Sequence, residues 1–176
     1  LVRAGKLGRV LLQFPPWITA SAKNANAIAR ASPGTWDAVV KWYMAGPDAE
    51  PAISKGTEVN TLLTGGRWLK SKFDGEYAGA KFEGHGQYGF DATSGKYVGT
   101  WIDTVSPGLT VLEGSYDAAT KTMTYVGEAI GPDGKTKYTQ KMVTKTNEDG
   151  SRVFTLYGKM GKDEIKFMEI AYTKRK

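Results

Sequence analysis

The stretch Gly95-Lys-Tyr-Val-Gly-Thr-Trp-Ile-Asp-Thr104 decides how the chain is read. Tyr97, Val98, Thr100, Trp101, Ile102 and Thr104 are β-branched or aromatic, and Asp91-Ala-Thr-Ser-Gly95 ahead of them is turn material. Pro107-Gly108 ends the run, because proline removes a ladder donor and glycine permits the reversal. Strand alternation sets Tyr97, Gly99, Trp101 and Asp103 on one face and Val98, Thr100, Ile102 and Thr104 on the other. A tryptophan and an aspartate thus share one face of a strand.

Working outward, every segment from Gly34 repeats this grammar. Trp36, Ala38, Val40 and Trp42 form one apolar face. Runs over 53–63, 67–77, 81–91, 109–116, 122–130, 135–146, 152–160 and 164–173 follow, separated by Gly65-Gly66, Gly79, Asp117-Ala-Ala-Thr-Lys121, Asp133-Gly134, Asp149-Gly150 and Gly161-Lys162-Asp163. No helical period intervenes. The expectation is an all-β domain over 34–176, an antiparallel up-and-down β-barrel of about ten strands, since closure removes both sheet edges. A two-layer sandwich is the rival, but it calls for longer crossing connections.

Residues 1–33 differ. They hold Arg3, Lys6, Arg9, Lys23 and Arg30 and no acid, whereas the rest carries 19 basic and 18 acidic residues. The +6 net charge therefore sits mainly on the extension, and a nearly neutral body does not suit nucleic acid. Thr19–Ala31 predicts a short helix with a Thr or Ser cap. We divide the chain into an extension, 1–33, and a barrel, 34–176. The extension reads as a leader or fused fragment, or as a helix lying across the barrel mouth.

No run approaches the ~18 apolar residues of a membrane-spanning helix. Val10-Leu-Leu-Gln-Phe14 is short and polar for a signal-peptide core, and Pro15-Pro16 interrupts it. The absence of cysteine removes disulfides and thiolate chemistry but leaves the compartment open, with cytoplasm set ahead of secretion.

Two resemblances follow from quoted residues. Gly34-Thr-Trp36 resembles the G-x-W opening strand of the lipocalin and fatty-acid-binding superfamily. The ordered series GTWD at 34–37, GG-x-W at 65–68, GFDATSGKYVGTWID at 89–103, LEGSYD at 112–117 and the closing FMEIAYTKRK is similar to the bacterial family called domain of unknown function 1579. That resemblance implies a lipocalin-like barrel and carries no reaction with it. It departs at the N-terminus, where the family has a short helix before GTW. Here KLGRVLLQFPPW at 6–17 resembles a fragment of a different family, domain of unknown function 72.

The candidate site residues are few. Asp103 beside Trp101 would put a carboxylate near a barrel end, as a general base or a ligand anchor, against a plain role in capping the turn. Glu113 on the next strand is placed to oppose it across the hairpin, or to serve as a rim charge with a lysine. His85, the single histidine, is a candidate general base or haem ligand. Alternation sets it with Glu83 and Gln87, opposite Phe82, Tyr88 and Phe90, and so outside; no cofactor is expected. Trp36, Tyr88, Tyr97, Trp101 and Tyr116 are the candidate ligand-binding aromatics. Glu58, Glu169 and Arg67 would give the lumen polarity if they face inward.

No nucleophile elbow, phosphate loop or H-E-x-x-H is present. Gly84-x-Gly86-x-x-Gly89 mimics a dinucleotide fingerprint but precedes a strand. The leading function is binding of a small, partly apolar ligand. The alternatives are a small hydrolase or isomerase using carboxylates in the same cavity, and a filled barrel that self-associates as a homodimer.

Overall fold

The computed structural model describes residues 33–43, 49–63, 66–131 and 133–176. The helix expected over 19–31 and both readings of the extension lie outside them.

Among the described residues, ten antiparallel strands close into a barrel: β1 (Gly34–Trp42), β2 (Ala52–Leu63), β3 (Trp68–Tyr77), β4 (Ala80–Asp91), β5 (Lys96–Asp103), β6 (Thr110–Asp117), β7 (Thr122–Ile130), β8 (Lys137–Thr146), β9 (Arg152–Met160) and β10 (Asp163–Lys174). Each pairs with its sequence neighbour, and β1 pairs with β10 from Trp36↔Lys174 to Trp42↔Met168. The up-and-down barrel expected from the turn spacing is therefore observed, and the sandwich is set aside. No helix among the described residues is long and apolar enough to cross a membrane.

The two echoing turns are built alike. Asp91 accepts bonds from the backbone N–H of Thr93 at 2.9 Å and from the Ser94 hydroxyl at 2.7 Å. Asp117 does the same for Ala119 and Thr120. Each loop ends in a left-handed residue, Gly95 at φ 69° and Lys121 at φ 53°. These Asx turns set the register of β5 and β7, and register decides which side chains point inward.

The inward faces hold two apolar clusters. One gathers Leu69, Tyr97, Leu112, Tyr125 and Met142, and the other Trp36, Ala38, Val40, Phe73, Ile170 and Tyr172. Trp36, Leu112 and Val40 are the most completely buried large side chains, each contributing about 1.5–3 kcal/mol through area removed from water. A bulge in β10 between Lys166 and Met168 inserts one residue. Phe167 and Met168, adjacent in sequence, both reach the lumen as a result.

Candidate functional site

The lumen is not filled. Its side chains enclose a cavity of about 580 Å3, within the roughly 300–1,000 Å3 of small-molecule sites. The lining is mostly apolar, with Leu69, Phe73, Tyr88, Trp101, Met142, Phe154 and Leu156 among the walls. Small residues make the room. Tyr88 lies across Gly86 and Gly99, whose Cβ atoms, if present, would come within 2.6 and 2.5 Å of its ring. The ring is laid along the wall instead of across the lumen, and it meets Tyr125 at 5.4 Å between centroids.

A polar cluster forms the floor. Arg152, the first residue of β9, donates from Nη2 to Glu58 Oε1 at 2.7 Å. Asn60 Nδ2 donates to the same oxygen at 2.5 Å. The guanidinium lies 3.9 Å over the Trp36 ring and 4.7 Å from that of Tyr172. The side chains of Arg152 and Glu58 are only 7% and 12% exposed. A pair this dry gains its attraction only by giving up hydration, so its partners and the rings beneath it decide whether it holds.

Among the described residues, four buried polar atoms have no protein partner: Asn60 Oδ1, Ser71 Oγ, Gln140 Nε2 and Arg152 Nε. All four side chains line the cavity. Asn60 and Ser71 stand directly opposite each other across β2 and β3. An unsatisfied buried donor or acceptor costs about 1–3 kcal/mol. Each such atom calls for a partner beyond the protein's own groups, such as water or a bound molecule.

Three phenols inside the barrel, those of Tyr88, Tyr125 and Tyr172, are shifted upward. Burial is the main cause for Tyr88, Tyr125 and Tyr172, and the charge on Glu58 adds to it for Tyr88 and Tyr172. Unfolded phenols ionise near 10.0, so folding favours the protonated form. That contribution is whole below pH 10 and is lost as pH rises toward the folded values. We expect stability to fall steadily above about pH 10, with tyrosinate absorbance from these residues appearing together with loss of the far-UV signal. Ionisation of all tyrosines in a still-folded barrel would contradict this placement.

Asp103 faces the cavity beside Trp101, but its oxygens are engaged. Oδ2 accepts from Trp101 Nε1 at 2.8 Å and from the Ser106 hydroxyl at 2.9 Å. Oδ1 accepts the backbone N–H of Val105 at 2.8 Å and of Ser106 at 2.6 Å. This is a loop cap that also orients the indole.

Glu113 does not join it. It is paired with Val98, points outward and bonds Lys96, so the arrangement of two facing carboxylates is not formed. His85 is also outside, its Nε2 3.1 Å from Glu83 Oε1. The hydrogen bond from His85, followed by the charge of Lys72, lowers the Glu83 carboxyl to about 2.

Tyr88, Trp101 and Tyr116 line the cavity. Trp36 and Tyr97 are instead packed away: Trp36 lies beneath Arg152, and Tyr97 between the rings of Phe90 and Tyr116 at 5.1 and 6.5 Å. Of the three charges considered for the lumen, Glu58 faces in. Glu169 pairs with Lys41 and Lys166 on the outer face, and Arg67 is exposed.

Sequence reasoning missed Arg152, Asn60, Ser71 and Gln140. The parity of β9, with Arg152 in step with Phe154 and Leu156, carried the signal for the first. Among the described residues, no group of three or more His, Asp or Glu is arranged to hold a metal ion.

The model of the family described as "Protein of unknown function (DUF1579)" matches residues 23–174. The match covers all ten strands and begins eleven residues ahead of β1. No curated protein matches the chain.

Proposed function

We propose that this chain, which belongs to the DUF1579 family, binds a small, partly apolar ligand inside its barrel. The observation carrying this reading is the combination of an apolar chamber of about 580 Å3 with four buried polar atoms that find no partner in the protein. Apolar walls supply affinity through area removed from water, and a few placed polar groups fix orientation. The carboxylates weighed for a hydrolase or isomerase lack comparable support. Asp103 has its oxygens committed to Trp101 and the loop, while Glu113 pairs with Lys96 and His85 with Glu83 on the outer face.

Titration with N-phenyl-1-naphthylamine, an uncharged dye that brightens in apolar surroundings, tests the proposal. Saturation at one dye per chain is expected. Leu156→Trp, which puts an indole into the cavity, is expected to weaken binding about tenfold or more, since a filled lumen leaves no apolar area to cover. A far-UV spectrum confirms that this variant is folded. Unsaturable binding, or equal affinity in the filled variant, would sink the reading.

A further inference from the structure

The floor of the lumen is electrically balanced before any ligand arrives. Glu58 and Arg152 neutralise one another at 2.7 Å, and the other charge against this cluster, the ammonium of the exposed Lys174, lies 5.6 Å from the Trp36 ring. What this floor lacks is hydrogen-bond partners of both kinds.

Asn60 is oriented by its own bond: Nδ2 donates to Glu58, which leaves Oδ1 as an acceptor in need of a donor. Arg152 Nε–H needs an acceptor, and the Ser71 hydroxyl, across from Asn60, takes either role. Asn60, Ser71 and Arg152 are 4%, 3% and 6% exposed, so a partner reaches them only by pressing into the floor itself.

Resting on the reading of the lumen as a ligand chamber, we infer that the head group seated on this floor is uncharged and both donates and accepts, as a carboxamide does. Its N–H would answer Asn60 Oδ1, and its carbonyl would answer Arg152 Nε or the Ser71 hydroxyl. A carboxylate accepts only. It would set its lone pairs against Asn60 Oδ1 and bring a second negative charge beside Glu58, where hydration is lost. An ammonium fails in the opposite way, leaving Arg152 Nε unanswered and adding a second positive charge. Gln140 Nε2, on β8, is a further donor to the cavity, and it asks for an acceptor on the ligand body.

Calorimetric titration with three probes sharing one ring system tests this: 2-naphthamide, 2-naphthoate and 2-naphthylmethylamine, at neutral pH. The amide is expected to bind about tenfold or more tighter than either ion, the difference that one unpaired buried polar group makes. Asn60→Ala should remove most of that margin. Glu58→Gln leaves Arg152 unbalanced and should turn the preference toward the naphthoate; Asn60→Ala keeps the test intact if Glu58→Gln does not fold.

Naphthoate binding as tightly as the amide in the unaltered protein overturns the head-group inference and leaves the chamber standing. So does failure of all three probes while N-phenyl-1-naphthylamine still binds. Failure of all four overturns both.

Discussion

Glu58→Leu is expected to cost about 3–5 kcal/mol of stability, because it strands a buried guanidinium without its carboxylate. Arg152 reaches Glu58 from 94 positions along the chain, and the same oxygen also serves Asn60. The substitution therefore leaves two donors in the lumen without an acceptor. Removing both charges, as Glu58→Leu with Arg152→Met, should restore a good part of the loss, since an apolar floor of similar volume carries no stranded charge. Urea denaturation of the two single variants and the double variant reads this directly. Single-variant costs that merely add would show that the pair is not energetically coupled.

Trp36→Ala is expected to be of similar size, about 3–5 kcal/mol for a large aromatic removed from a packed core. The ring is 2% exposed and packs in one cluster with Ala38, Val40, Phe73, Ile170 and Tyr172. It is also the surface on which Arg152 rests and lies 5.6 Å from the Lys174 ammonium. Its loss opens a cavity and frees the guanidinium at once. Trp36→Phe keeps a ring under Arg152 and should retain most of the stability. Thermal unfolding of both variants checks the expectation. An alanine variant as stable as the parent would mean that Trp36 does not hold the floor.

The barrel was legible because its evidence is local. Each strand announces itself by two-residue alternation and each reversal by an Asp–Gly or Asx turn, so Tyr97, Trp101 and Asp103 could be put on one face of β5 from residues 91–108 alone, and the closed barrel turns that face inward. His85 was placed outside by the same parity. The site was less legible because its evidence is long-range. Nothing near Arg152 names Glu58 as its partner; only closure of the barrel brings β9 and β2 to face one lumen.

Hairpin register hid a second feature. Asp103 faces in and Glu113 faces out because β5 and β6 pair Val98 with Glu113 and Gly99 with Leu112, a choice made by the loop between the strands. The β10 bulge hid a third, since simple alternation cannot send both Phe167 and Met168 inward. Whether the lumen was open or filled could not be read at all. That depends on rings such as Tyr88 lying flat over glycines on neighbouring strands.

The most direct test of the ligand chamber uses the cavity's own methionines. Met123, Met142 and Met168 line it from β7, β8 and β10. Their methyl resonances are followed in isotope-labelled protein as N-phenyl-1-naphthylamine is added. The account predicts that all three shift together, saturate with the dye and stay unmoved in Leu156→Trp. Dye binding that leaves these three methyls in place would put the ligand outside the barrel and contradict the account.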